Sequence, residues 1–229
     1  MNVAALMPVK GFRNAKQRLN RILSSAAREL LAETMFRDVL RQVRIARGLA
    51  GTFVVTADDQ VAAIASALGA EVIREAEERG ETSAVDFARQ ELQSAGCEAV
   101  LIIPADIPLV HAADIEQVLA QVPDRATAPF ALLVPSHDRL GTNALLLAPP
   151  GVIRLRFGYD SFSFHMGQVT AQGLPMRYIE NDHMALDIDE PKDLEQFLSY
   201  GLNDGESTRV AQTLLAEQNA QAIRRLPGV

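Results

Sequence analysis

The sequence predicts an α/β fold: a single three-layer domain over residues 1–200, with a mostly parallel, doubly wound sheet and an antiparallel excursion, followed by a C-terminal helical extension over 201–229. Three observations predict it. Short, wholly apolar runs alternate with helical patterns along the first half of the chain. One such run, Val100–Ile103, is stopped by Pro104 and Pro108 with a lone carboxylate, Asp106, between them. From Phe130 the alternation gives way to two closely spaced strands. Wholly apolar strands read as buried on both faces, and β-α repetition argues for parallel pairing with right-handed crossovers.

Val3–Met7 is the first buried strand. It runs into Pro8–Leu19, a loop that carries Lys10, Arg13, Lys16 and Arg18 and no acid. Like charges repel, so this cluster is favoured when an anion sits among them. Phosphate-binding loops commonly follow strands; the alternative is a solvated basic loop. Ser24 or Ser25 N-caps a helix to about Arg47, with Leu30, Leu31, Met35, Val39 and Val43 as its apolar stripe, and Gly48 and Gly51 end it. Thr52–Thr56 is a second strand. Asp58 caps a helix over about Gln60–Leu68 that Gly69 closes, and Glu71–Arg74 is a third strand. Glu75–Thr82 reads as a charged loop, after which Thr82 or Ser83 caps a helix to about Ala95.

The Val100 strand follows. Asp106 then either faces a ligand, at the strand end where open α/β sheets bind them, or caps the helix from about Ala112 to Val122. Phe130–Val134 and Asn143–Leu147, joined by the polar Pro135–Thr142 loop, suit an antiparallel pair. Arg154–His165 gathers two arginines, a glycine, two hydroxyls and a histidine within twelve positions. Ser161 caps the helix that runs to about Ala171, and its free amides make either a second anion site or an ordinary cap. Met176–Ile179 reads as a strand. In Asp187-Ile188-Asp189, only one of the two carboxylates is expected to face a site. Pro191–Ser199 is a short helix that opens on proline. Ser207 caps a last helix to about Leu226, packed on the body or on a second copy of the chain, so a homodimer is one expected state.

The 229 residues fit one decorated α/β domain, and 48% hydrophobic content is enough for a sizeable core. The net charge of -7 argues against a nucleic-acid partner but leaves nucleotides open, since they need only a few local cations. No apolar run approaches the roughly 20 residues of a membrane span. Pro8 and Lys10 interrupt the first strand too early for a signal-peptide core, so no membrane association is expected. A lone cysteine, Cys97, rules out an internal disulfide and fits a reducing cytoplasm; it reads as packed at a strand edge rather than nucleophilic.

Four blocks carry a family resemblance: Pro8-Val9-Lys10 with Ala15–Leu19, Pro104–Pro108, Gly141–Leu146, and Phe157-Gly158 with Ser161-Phe162 and His165. A fifth, Asp187–Asp189 with Pro191 and Asp193-Leu194, is shared with wider nucleotidyltransferases. In this order, over about residues 3–200, the chain resembles nucleotidyltransferases of the glycosyltransferase-A-like fold. More narrowly, it resembles the 2-phospho-L-lactate and phosphoenolpyruvate guanylyltransferase family of coenzyme F-420 biosynthesis. The resemblance implies that Lys10, Lys16 and Arg18 hold the triphosphate of GTP. It implies that Asp106 binds Mg2+, with Asp187 or Asp189 as a second ligand, and that Thr142, Gly158 and Ser161 hold the acceptor's carboxylate and phosphate.

Gly80-Glu81-Thr82 stands where the family often has Gly-Leu-Asn near the nucleotide. The Glu81 carboxylate suits guanine, whose N1–H and exocyclic amine are both donors. His165 is an orienting group or a structural histidine. The implied reaction is attack of an acceptor phosphate on the α-phosphorus of GTP, with release of pyrophosphate. Few residues separate Gly158 from Ser161, so a compact acceptor is expected: phosphoenolpyruvate or 2-phospho-L-lactate, with 3-phospho-D-glycerate third. Two rivals remain. One is another GTP- or CTP-dependent nucleotidyltransferase that activates a sugar acid or a molybdopterin-type cofactor. The other is a catalytically silent nucleotide-binding homologue, against which the retained Asp106, Asp187 and Asp189 argue.

Overall fold

The computed structural model describes residues 1–122, 129–201 and 205–224. Six strands, β1 (Val3–Pro8), β2 (Gly51–Thr56), β3 (Glu71–Arg74), β4 (Ala99–Ile102), β5 (Phe130–Pro135) and β6 (Thr142–Ala148), form one sheet in the order β3-β2-β1-β4-β6-β5. The first four pair in parallel; β6 runs antiparallel to both β4 and β5. The chain builds outward from β1 to β3 and then crosses back to place β4 on the other side of β1. The strand order therefore reverses between β1 and β4, and the crevice beyond their C-terminal ends is the switch point where such sheets bind ligands.

The helices are α1 (Ser25–Ile45), α2 (Asp59–Ala67), α3 (Glu81–Ser94), α4 (Ala112–Leu119), α5 (Ser161–Ala171), α6 (Asp182–Ala185), α7 (Pro191–Ser199) and α8 (Glu206–Arg224). Successive strand residues bury on opposite faces. Ala5, Met7, Leu101 and Ile103 pack with Phe36, Val39 and Val61 from α1 and α2, while Ala4, Leu6, Val100 and Ile102 pack with Val85, Ala88 and Val169 from α3 and α5. Both faces are thus covered, which is why the strands carry no alternating polar positions. A third apolar cluster joins Leu31 and Met35 of α1 to Leu194 and Phe197 of α7 and Ala211 of α8. Among the described residues no helix is long and apolar enough to cross a membrane.

The local signals for α1 and α2 hold. The Ser24 hydroxyl accepts from the Ala27 amide at 3.2 Å, and the Asp58 carboxylate from the Val61 amide at 2.9 Å. Four expectations are corrected. Leu30 is half exposed, because the buried face of α1 is carried by Leu31, Met35, Val39 and Val43 one step round the helix. Helix α3 starts at Glu81 behind Gly80, whose φ of +97° favours glycine, so neither Thr82 nor Ser83 is the cap.

Met176–Ile179 makes only an isolated parallel bridge, through Tyr178, to the outer edge of β5. Pro175 before it cannot donate to a ladder, and Asn181 after it already caps α6. Ser207 is not a cap either. Its amide and its hydroxyl both donate to Asp38 of α1 at 2.7 Å, so a buried carboxylate from another helix holds the start of α8. Helix α8 therefore packs on the body of its own chain; its expected end at Leu226 lies outside the described residues.

Candidate active site

The crevice between the ends of β1 and β4 is a cleft of about 790 Å³. Its walls are Pro8–Lys16 after β1, Pro104–Asp106 after β4, Gly80, Glu81 and Ala84 at the start of α3, and Asp58, Glu75 and Glu78 beside them; Asp189 closes one end. Asp106 does not cap α4. His111 does, with its amide donating to Asp114 at 2.8 Å. Asp106 is left facing the cleft.

Lys16 stands at the centre of the site. Its ammonium donates to Asp106 Oδ2 at 2.6 Å and to Asp189 Oδ1 at 2.9 Å, and its side chain is only 9% exposed. Burial alone lowers its pKa, but the two carboxylates outweigh burial and hold it above the ordinary value. Burial likewise raises Asp189, but Lys16 and Arg18 bring its net pKa below the usual carboxylate range. Lys16 adopts a left-handed conformation with φ of +52°, a strained backbone for a side chain with a Cβ, and the two ion pairs hold it there.

Asp187 belongs to the same centre. Residues two apart in an extended stretch share a face, so the expectation that only one of the two acids faces the site is corrected. Leu186 and Ile188 point into the core beneath α1 and α7, while Asp187 and Asp189 are left half-buried on the other side. The Ile188 amide donates to the Asp106 carbonyl at 3.0 Å, joining the two acid-bearing segments through the main chain. Burial first, and then the charge of Asp106, push the Asp187 carboxyl up to about 6. Asn143 of β6 donates to Asp187 at 3.1 Å and to the Met184 carbonyl at 2.9 Å. Asn143 carries no assigned role in the sequence reading, although it sits inside the Gly141–Leu146 block; only its distant partners reveal it. Glu81 is pushed up to about 7, by burial first and by Asp106 second, with Lys10 and Lys16 opposing.

The remaining basic residues are less central. Lys10 is exposed and lies 3.7 Å from Glu78. Arg18, also exposed, lies 3.7 Å from both Asp189 and Glu190. The acid-free loop of the sequence therefore meets its acids in space, from three other segments.

Thr142, Ser161 and His165 form a separate cluster, outside the cleft wall. Ser161 is the first residue of α5 rather than its cap. The cap is Asp160, and Gly158 and Asp160 both take positive φ to turn the chain into the helix. The Ser161 hydroxyl is buried 3.5 Å from Thr142 Oγ1, and the Leu140 carbonyl accepts from the Phe162 amide at 3.4 Å. His165 is fully buried. Burial first, then the charges of Arg156 and Arg89, lower its pKa to about 4, so it is neutral. Its Nε2 accepts from the Arg156 amide at 3.2 Å, which leaves the ring proton on Nδ1, 3.0 Å from Thr142 Oγ1. The Phe157 amide donates to Thr82 at 3.0 Å, tying this cluster to the start of α3 next to Glu81.

The fold recurs among solved structures. A cytidylyltransferase from Leptospira borgpetersenii serovar Hardjo-bovis superposes with a TM-score of 0.60 over 100% of this chain and 98% of its own, at 12% identity. The two chains share a fold.

The family follows from sequence. The profile described as "Guanylyl transferase CofC like" matches residues 3–215, running on into α8, and the chain belongs to this family. Phosphoenolpyruvate guanylyltransferase of Rubrobacter xylanophilus is 37% identical over 88% of this chain and 96% of its own. 2-Phospho-L-lactate guanylyltransferase of Methanothermobacter thermautotrophicus is 32% identical over 88% and 86%. 3-Phospho-D-glycerate guanylyltransferase of Colwellia psychrerythraea is 34% identical over 85% and 90%.

Proposed function

We propose that this protein is a magnesium-dependent guanylyltransferase of the cytoplasm. It transfers GMP from GTP to a phosphorylated three-carbon acid and releases pyrophosphate, in the biosynthesis of coenzyme F-420. The observation that carries the proposal is the convergence of Lys16, Asp106, Asp187 and Asp189 at the switch point of the sheet. The relatives' names support the reaction and divide over the acceptor. Phosphoenolpyruvate or 2-phospho-L-lactate ranks first here, because both carry phosphate on the carbon beside the carboxylate.

An oxygen of the acceptor phosphate attacks the α-phosphorus of GTP. The bond from that phosphorus to the bridging oxygen breaks, and the electron pair leaves with pyrophosphate. A phosphate with its second pKa about 6 is already anionic near neutrality, so no general base is needed. The chain's task is to hold two polyanions together. Lys16, Lys10 and Arg18 offset phosphate charge from the β1 side, and Glu81 accepts from guanine N1–H and its exocyclic amine. Thr142, Gly158 and Ser161 hold the acceptor from the α5 side.

The acid centre fits magnesium: its donors are all carboxylate oxygens, the ligand type that hard cation prefers. Asp187 is raised by burial first and by the charge of Asp106 second, and a divalent cation would offset both. Asp106, with Asp187 or Asp189, would hold the ion, which would supply charge neutralisation at the phosphate oxygens.

Pyrophosphate release, measured with four nucleoside triphosphates against the three candidate acceptors, with and without a chelator, tests the proposal. GTP with phosphoenolpyruvate or 2-phospho-L-lactate, in magnesium, is the expected productive pair. Equal or better rates with CTP or ATP would refute the guanylyl assignment.

A further inference from the structure

A second group of metal-type ligands lies outside the cleft, where side chains at the start of α6 reach Asp114 in the first turn of α4. His111 caps α4, Asp114 stands in its first turn, and His183 projects from α6. One ligand atom from each lies within 4.8 Å of the others. The imidazole rings stand 5.2 Å apart between centroids. Both are about half exposed, while the Asp114 side chain between them is 12% exposed. This is an open coordination face backed by an inner carboxylate.

That carboxylate is held in place. Its Oδ2 accepts from the His111 amide at 2.8 Å, and its Oδ1 accepts from Asn181 Nδ2 at 2.9 Å. Asn181 is itself fixed, because its Oδ1 accepts from the Met184 amide at 2.9 Å. Hydrogen bonds that aim a carboxylate in this way are what metal centres use to orient their ligands. The spacings also suit one ion in particular. Tetrahedral Zn2+ with bonds of about 2.0–2.2 Å sets its donors about 3.3–3.6 Å apart. His183 Nδ1 lies 3.0 Å and His111 Nδ1 lies 3.7 Å from Asp114 Oδ2, on either side of that range. Two imidazoles and one carboxylate form a donor set for zinc rather than magnesium.

We propose that His111, Asp114 and His183 bind one Zn2+ ion that staples the start of α4 to α6, with water completing the coordination. The staple would act on the active site from outside. His111 follows Asp106 by five residues and His183 precedes Asp187 by four, so the ion would join the two segments that deliver the acids. The proposal does not depend on which nucleotide or acceptor the enzyme uses.

The test is a calorimetric titration of tag-free protein with ZnCl2 in excess Mg2+, so that the all-oxygen centre is occupied, paired with a melting curve. One Zn2+ per chain and a rise in Tm are expected for the wild type and for Asp106→Asn. His183→Gln and His111→Gln, which alter half-exposed side chains, should each weaken binding at least tenfold and abolish the rise in Tm. Co2+ used in place of Zn2+ should give visible absorption bands in the wild type that vanish in His183→Gln. Zinc binding that is absent from the wild type, that persists in the doubly substituted His111→Gln/His183→Gln chain, or that disappears in Asp106→Asn would overturn the proposal.

Discussion

The protein holds two polar clusters that meet β6 at adjacent residues, Asn143 and Thr142, and they are built on opposite principles. Around Lys16, three aspartates and Glu81 crowd together, and burial first, then the charge of Asp106, pushes Asp187 and Glu81 up to about 6 and about 7. Around His165, every group is neutral and paired: the ring nitrogens have the Arg156 amide and Thr142, and Ser161 has Thr142. Groups held in unfavourable ionisation states weaken the fold, and such groups collect where chemistry needs them. Satisfied neutral networks fix shape. By this contrast the proposed phosphoryl chemistry is expected at the acid centre, and the His165 cluster is expected to hold the acceptor beside it.

The largest expected effect is that of Asp106→Asn, which should lower turnover by about 10³-fold or more, the several kcal/mol that one metal-binding carboxylate supplies. Its melting temperature should stay close to wild type. Near-normal turnover at saturating magnesium would erase the distinction between the clusters. Lys16→Ala comes next. It should cost about 10²-fold in kcat/KM for GTP, the scale for removing one preorganised charge-stabilising donor. Arg18→Ala should cost only about two- to fivefold, as befits an exposed ion pair. If the losses fell on the acceptor KM instead, the loop after β1 would belong to the acceptor.

Glu81→Gln separates two roles by pH. A carboxyl whose pKa is raised on folding binds its proton more tightly in the folded chain. Its favourable contribution is therefore complete below the ordinary 4.5 and lost as pH climbs through about 7. The variant should be more stable than wild type at pH 8, by up to about 3 kcal/mol, and nearly equal to it at pH 4; chemical denaturation at the two pH values reads this directly. Loss of discrimination between GTP and ATP in the same variant would place Glu81 against guanine. Retained discrimination with lower kcat would instead place it with the acid centre, whose Asp106 raises its pKa after burial does.

The smallest effect is expected from Thr142→Val. It strands the His165 Nδ1–H, costing about 1–2 kcal/mol of stability, and should raise the acceptor KM while leaving GTP affinity nearly unchanged. An unaltered acceptor KM would make the whole His165 cluster structural.

The parallel half of the fold could be read from the chain because strands buried on both faces leave unbroken apolar runs. The caps Ser24 and Asp58 could be read because each bonds three residues ahead. The pairings that complete the site could not. Lys16 meets Asp189 across 173 positions, and Asn143 meets Asp187 across 44. Ser207 displays every mark of a local cap, yet its partner is Asp38, 169 positions away. Periodicity records which face of an element is buried; it does not record what lies opposite. Tyr178 shows the same limit from the other side. Its segment has the residue types of a strand and only a single bridge to pair with.

Helix α8 leaves the ribosome after every other described element, yet it covers part of the first long helix made. The Asp38 carboxylate and the apolar ground around Leu31 and Met35 have no partner from α8 while the sheet assembles. For that interval the newborn chain carries a sticky seam on α1, of the kind that chaperones hold and neighbouring chains mistake for their own. The seam is covered in the folded chain by α8, where Ser207 meets Asp38, so the last described helix completes the packing of the first.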